Sequence, residues 1–438
     1  MDIVAKRHSR TRPIWVVLYQ IYFVIVLVVL GCTISAQEDD SSTDESDRVG
    51  TDLTRDQIDA IRSRLFAAEA DDAVELANLL IEEIEQNYSR FDESLVEPLT
   101  LLGDGQRQLG RYIDALESYD RARNVSRLVN GLHSLNQIDV LYREADTYHE
   151  LGQIGRASQR HEYAFSIFLR SFEEDSVELL PGLFALADWY IETRNIFAAR
   201  GLFHNAVEIS KTHLERTDPR NIRALKGLAR SYRLERFTPP AEFEVPEEVL
   251  LSSRLPEESS LRYEAKINDF ARGEEALKEL VKIEQDREGS TRESLAYAKL
   301  DLADWFLLFQ KHQLAEVVYR DIWKMFADDP NALFVQKEFV EPNALYYPLG
   351  RTTGSQPTTR LQEPVEGTIE FSFDITNTGE VVNVEVVQIE PDGRYQDEFF
   401  DWMERARYRP VIDEGVPKPK EGVTLTHTFL FFPDLTRD

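Results

Sequence analysis

The sequence predicts a multidomain protein: an all-α helical solenoid followed by a small α+β domain. Three observations carry this. Helical periodicity runs from Leu53 to about Lys337, and within it a small residue recurs as Ala73, Ala115, Ala157 and Ala199, each 42 residues after the last. From Glu341-Pro342 onward the pattern changes to alternation, with Ile369, Phe371, Phe373 and Ile375 on one face of a strand and Glu370, Ser372 and Asp374 on the other. A length of 438 residues also exceeds what one ordinary core fills.

Composition narrows the function. The chain has 79 acidic against 50 basic residues and a formal net charge of −29. A nucleic-acid binder needs a basic stripe to replace counterions on phosphates, so this balance argues against one. The single cysteine, Cys32, excludes a disulfide framework or a multi-thiolate metal site. There is no HExxH, no Gly-rich phosphate loop after a strand and no GxSxG. His149-Glu150 and His161-Glu162 fall on repeat helices and read as structural; Glu173-Glu174 reads as a solvated face. The expectation is a non-enzymatic protein with no cofactor and no metal.

Residues 1–36 read as a targeting segment. Lys6, Arg7, Arg10 and Arg12 precede a stretch from Ile14 to Ala36 without any charge. A basic start, an apolar run and a small-residue exit describe a secretory signal. The run is also about 20 residues long, enough to span a bilayer with its amino end in the cytoplasm. Val29-Leu30-Gly31-Cys32 resembles the bacterial lipobox, which makes Cys32 the lipidation candidate. Acylation at Cys32, cleavage after Ala36 and retention as an anchor are the three readings. Each sends residues 37–438 out of the cytoplasm, with residues 37–52 expected as a disordered acidic linker.

Residues 53–237 justify the solenoid. Leu102-Gly103, Leu109-Gly110, Tyr112, Ala115, Tyr119 and Ala122 form one frame. Ala145, Tyr148, Leu151-Gly152, Ala157, His161 and Ala164 form the next, and Leu186-Ala187, Tyr190, Ile196, Ala199, Phe203 and Ala206 a third. Small residues let two antiparallel helices approach, and Leu-Gly ends the first of them. These frames resemble the tetratricopeptide repeat (TPR) in a longer-period form. Leu228-Ala229 and Tyr232 start a further unit, which Pro239-Pro240, Pro246 and Pro256 interrupt over 238–260. Helices resume in 261–340 at Leu261–Arg287 and around Leu302-Ala303, Phe306, Ala315 and Tyr319, giving five or six pairs in all. Tyr119, Tyr148, Tyr190 and Phe203 read as core, and a groove would be lined by polar positions on the first helix of each pair.

Residues 341–438 justify the α+β domain. Thr368–Ile375 is a strand, Asn377-Thr378-Gly379 a turn, and Val382, Val384 and Val386 continue on one face of a second strand. The alternation slips at Val386–Ile389, as a bulge would make it. Residues 396–407 carry Phe399, Met403 and Ala406 at helical spacing, and Val423–Phe432 alternates again, giving a β-β-α-β order. Tyr347-Pro348, Gly367, Gly379 with Val384, and Arg407-Tyr408-Arg409-Pro410 follow one another as in the TonB carboxy-terminal domain, which this region resembles. That resemblance implies a periplasmic domain that binds outer-membrane transporters by pairing a transporter segment with its last strand. Here the candidate edge is Val423, Thr424, Leu425, Thr426, His427, Thr428, Phe429 and Leu430, which contains no charged residue and no Pro.

Three functions are compatible with these readings. In the first, a cell-envelope interaction protein docks one partner on the repeats and pairs its carboxy-terminal strand with another. In the second, a TonB-type energy transducer uses the array as a spacer; the apolar segment then offers Gln20 between Tyr19 and Tyr22 to a motor complex. In the third, a periplasmic scaffold uses the TonB-like sheet as a cap. All three expect the periplasm of a Gram-negative bacterium, secretion there or a tether by anchor or lipid, and protein partners such as an outer-membrane transporter or envelope complex.

Overall fold

The computed structural model describes residues 45–238, 270–329, 331–349, 365–390 and 395–431, with side chains from 55 onward. The leader with Cys32, most of the Pro-rich interruption and Leu261–Asp269 lie outside the described residues. Contacts divide the chain after Gln57. Of the first unit, the described part is helical backbone from Glu45. Residues 45–52 were expected as linker but belong to this helix: no proline stands between Glu45 and Leu53, so the helical pattern runs back through them.

The second unit, Ile58–Asp438, holds both the array and the carboxy-terminal region. Its helices among the described residues are α1 (Glu45–Phe66, shared with the first unit), α2 (Ala70–Asn87), α3 (Val96–Gln108), α4 (Tyr112–Asn130), α5 (Ile138–Glu150), α6 (Ile154–Ser171), α7 (Leu180–Glu192), α8 (Ile196–His213) and α9 (Pro219–Arg236), followed by α10 (Ala271–Asp286), α11 (Arg292–Leu308), α12 (His312–Met325) and α13 (Leu333–Glu338). Among the described residues, consecutive helices pack as six pairs, α1/α2 to α11/α12. Ala73, Ala115, Ala157 and Ala199 are all fully buried at these helix crossings.

Two further features keep the same 42-residue step. Asp92, Ser134, Ser176 and Asp218 each cap the turn that opens a repeat, their side chains accepting a backbone N–H two residues on. Ala68, Gly110, Gly152 and Arg194 each end the first helix with positive φ, and Gln310 does so in the last repeat. The fifth repeat is split rather than missing. In the second, third, fourth and sixth repeats the small residue of the second helix follows that of the first by 12 positions, as Ala115 follows Gly103. In the fifth repeat the step from Ala229 to Ala276 is 47, yet α10 packs on α9 as a partner helix. The added residues therefore fall between the two helices of one repeat.

The carboxy-terminal region contains β1 (Asn343–Tyr346), β2 (Val365–Ile375), β3 (Val381–Glu390), α14 (Gln396–Arg405), β4 (Arg407–Arg409), β5 (Val411–Asp413), β6 (Val416–Lys418) and β7 (Lys420–Phe431). The main sheet has the order β3-β2-β7, all antiparallel, with β1-β4 and β5-β6 as separate two-stranded ladders. Ile369, Phe371 and Phe373 pack under Phe399 and Met403 of α14. The expected β-β-α-β core is present, enlarged by two ladders too short for an alternation to show.

The slip near Val386 is a bulge: Glu370 pairs with Gln388 and Phe371 with Val386, leaving Val387 extra. A second bulge overturns the expected face of β3. Asn383 adopts φ of 51°, so Val381 and Val384 turn inward and Val382 is exposed. Asp374 fixes that kink, accepting from Asn383 Nδ2 and from the Gly422 amide, both at 2.8 Å.

Candidate interaction surfaces

The first surface is the edge of the main sheet. β7 lies at one end of the strand order, and among the described residues no strand pairs with its outer side. From Val423 to Phe431 it pairs with β2 residue for residue, without interruption. Leu425 and His427 lean toward α14 and Phe429 is buried there, whereas Thr424, Thr426 and Thr428 are exposed. The opposite edge, β3, carries both bulges, which bend a strand and hinder pairing. Regular backbone thus lies along the candidate segment Val423–Leu430 and not along its rival.

The TonB-like residues are spread between the sheet core and its base. Tyr347 Oη meets His427 Nδ1 at 3.1 Å, and burial pushes the Tyr347 hydroxyl above its usual range. Pro348 and Pro410 are buried, and Val384 and Tyr408 join the core. Gly367 leaves room for the Phe429 ring, which a Cβ would meet at 2.6 Å. Gly379 has φ of 79°, and a Cβ there would lie 2.1 Å from the Tyr408 carbonyl oxygen. Arg407 donates to the Glu404 and Ala406 carbonyls, closing the end of α14. Cys32 lies outside the described residues.

The second surface is the row of first helices. α3 meets α5 and α7 meets α9, so first helices form the inner side of the superhelix. The polar positions expected to line a groove mostly pair with one another. Arg143 holds Asp104 at 2.9 Å, Arg107 holds Glu150 at 3.2 Å and Arg223 holds Asp188 at 2.7 Å. Asp146 is 57% exposed yet walled in by its neighbours; burial raises its pKa to about 6 against the opposing pull of Arg107.

The third feature joins the two regions. Arg409 reaches from β4 into α11: Nε donates to Asp304 Oδ1 at 2.9 Å and Nη2 to Asp304 Oδ2 at 2.7 Å. Its Nη1 donates to Glu338 Oε2 at 2.7 Å and to the Glu338 carbonyl at 3.1 Å. All three residues are buried. Burial works against the guanidinium charge, but Asp304 overrides it and holds the Arg409 pKa above its ordinary value. Tyr319 Oη completes the group, donating to Asp304 at 2.8 Å. Beside it the Ile412 amide donates to the Phe339 carbonyl at 2.9 Å, and Gly415 lies against the backbone of Arg320.

The same constellation recurs inside the array. Tyr119 Oη donates to Asp104 at 2.7 Å, and Arg143 of the next repeat pairs with that carboxylate. Arg409 therefore does for α11 what Arg143 does for α3. Asp304 and Glu338 stand in no motif of the sequence, and Arg409 stands there only within the run Arg407–Pro410, with no sign of its buried partners. The available signal was the repeated spacing from Asp104 to Tyr119 and from Asp304 to Tyr319, 15 residues in each case. Among the described residues no His, Cys, Asp and Glu cluster could hold a metal ion, and no helix is long and apolar enough to cross a membrane.

The tetratricopeptide repeat family model matches residues 95–170, the span from α3 to α6. The chain thus carries tetratricopeptide repeats, and the match does not extend to the carboxy-terminal region. No curated protein matches the chain. Among solved structures it is similar to the nearly identical TPR-like repeats of a Podosopora anserina protein assigned as a kinesin light chain, at 18% identity over 42% of this chain and 87% of that one, with a TM-score of 0.37. It is also similar to BtubC from P. vanneervenii, at 17% identity over 69% and 99% of the two chains, with a TM-score of 0.41. The apo form of RapI shares 13% identity over 65% and 79%, with a TM-score of 0.38.

Proposed function

We propose that this tetratricopeptide repeat protein is a non-enzymatic interaction protein of the cell envelope. Its array docks one partner, and the edge of its TonB-like sheet pairs with a strand of another. The observation that supports the second half is the regular edge Val423–Leu430, beside a rival edge bent by two bulges. The joint through Arg409 uses β4 and β5 and leaves β7 out of it, so docking to the array does not consume that edge.

A photocrosslinking residue placed at Thr426 of the full-length chain in its own cells tests the reading. Adducts are expected from Thr426 and none from Glu385 in β3. Equal yields from both positions, or none from either, would favour the scaffold reading, in which the sheet serves only as a cap; the buried Arg409 joint supports that alternative. The envelope location is tested by intact mass and amino-terminal sequence of the protein from its own membranes. A start at acylated Cys32 or at Gln37 is expected. An intact Met1 start would instead support the energy-transducer reading, because only a retained anchor can reach an inner-membrane motor.

A further inference from the structure

In a chain of net charge −29, the place where α9 meets the carboxy-terminal region is basic. α9 carries Lys226, Arg230 and Arg233 at i, i+4 and i+7, one face of the helix, and Arg236 in its last turn. All four are exposed. Unlike Arg107, Arg143 and Arg223 of the inner row, Lys226, Arg230 and Arg233 make no ion pair among the described residues. The helix then runs into the carboxy-terminal region: the Phe237 ring meets Tyr346 at 5.5 Å, and Tyr346 Oη donates to the Thr238 carbonyl at 3.1 Å. Tyr346 pairs with Arg407 across the β1-β4 ladder, and Arg405 stands just before it at the end of α14.

Electrostatics agree with this placement. Burial raises the pKa of the Tyr346 hydroxyl, and Arg405, Arg194 and Arg407 pull it back. Arg230 is held below its ordinary value, first because the surrounding protein strips part of its water although the residue as a whole stays exposed, and also by Arg233, with Asp188 and Glu192 opposing. Asp301 faces Lys226 and Arg233; burial, with Asp304, raises its pKa, and Lys226, Arg233 and Arg409 oppose that rise.

We propose that α9 and the β1-β4 ladder together form one composite site for an acidic polypeptide segment of a partner, with Arg230 and Arg233 supplied by the array and Arg405 by the carboxy-terminal region. This rests on reading the array as a docking surface and names the chemistry of what docks. From Arg230 to Thr238, two residues past the end of α9, is eight residues, about 12 Å at the helical 1.5 Å per residue. An extended segment of about four residues covers that length. Local charge complementarity selects carboxylates here, against the repulsion of the chain as a whole.

The test is fluorescence anisotropy of the full-length chain with a fluorescein-labelled hexaglutamate peptide, and with hexalysine as its counterpart. Hexaglutamate is expected to bind and to weaken as salt rises. Arg230→Glu with Arg233→Glu should weaken it about tenfold, and Arg405→Glu alone should weaken it about threefold. Lys282→Glu on α10, exposed and outside the site, should leave it unchanged. Three results would overturn the proposal: no binding of hexaglutamate, wild-type affinity in Arg405→Glu, or equal competition by an oligonucleotide of the same charge. The adducts at Thr426 do not depend on these cations, so failure here and failure of the strand-pairing reading are told apart.

Discussion

Removing the Arg409 guanidinium gives the sharpest test of how the two regions are held together. In Arg409→Met the side chain keeps much of its length, but the Asp304 carboxylate loses its cation and Glu338 keeps only the exposed Lys337, 3.5 Å away. The Asp304 and Glu338 side chains are only 9% and 10% exposed, so water cannot take the place of the guanidinium. Removing one member of a buried ion pair costs about 3–5 kcal/mol, because the remaining charge stays desolvated. At 1.4 kcal/mol per decade, that predicts opening of the joint about a hundredfold to several thousandfold more often. The Ile412 amide reports this directly, since its hydrogen bond to Phe339 crosses the joint, and hydrogen exchange of the 408–418 segment is the assay. Adding Asp304→Asn and Glu338→Gln should recover most of the protection, leaving a deficit of about 1–2 kcal/mol, since neutral replacements carry no stranded charge. The reasoning fails if Arg409→Met speeds exchange less than tenfold, or if the triple variant exchanges as fast as the single one.

Three other substitutions probe the repeats. Gln310→Gly should stabilise the chain by about 0.5–1 kcal/mol in urea unfolding, because Gln310 holds φ of 60° where glycine carries no Cβ penalty. His161 stacks on Trp189 at 4.6 Å, and burial, with a smaller push from His149, lowers its pKa to about 3. The unfolded chain protonates this group below about 6.5 and the folded chain does not, so stability falls as pH drops from 6.5 toward 3. His161→Phe should therefore gain up to about 2 kcal/mol at pH 5 and little at pH 8, measured by urea midpoints. Asp146, with its pKa raised to about 6, has the opposite slope for a carboxylate: the folded chain keeps the proton longer, so stability falls as pH rises from 3.8 to 6. Asp146→Asn should flatten that segment of the profile and raise stability at pH 7.

How much of this was legible depended on whether chemistry or backbone geometry carried the signal. Ala73, Ala115, Ala157 and Ala199 are visible because close helix packing demands a small side chain at each step. The turn positions follow the same step but hold Ala68, Gly110, Gly152 and Arg194; the geometry repeats while the residue type does not. The bulge at Val387 broke the alternation and could be read, whereas Asn383 did not, because a polar residue at an outward position looks ordinary. Asp304 and Arg409 stand 105 residues apart, and a contact between a helix and a strand at that separation leaves no local pattern. Only the recurrence of the Asp104–Tyr119 spacing pointed to it.

The recurrence also bears on what the carboxy-terminal region does. A solenoid ends in an apolar face that the next repeat would bury, and an uncovered end invites association. Here Asp304 and Tyr319 offer the last repeat's version of the Asp104–Tyr119 socket, and Arg409 fills it in place of a seventh repeat's arginine. The region thus covers the end of the last repeat whether or not β7 binds anything, and Arg409 is spent on the array. Capping and strand pairing use different elements: β4, β5 and the loop at Gly415 for the one, Val423–Leu430 for the other. Variants at Arg409 should accordingly loosen the joint without altering the β7 edge, and variants along β7 should change partner adducts without exposing the Ile412 amide. If a β7 variant exposed that amide, the two roles would be one, and the edge would be part of the cap rather than a site for a partner.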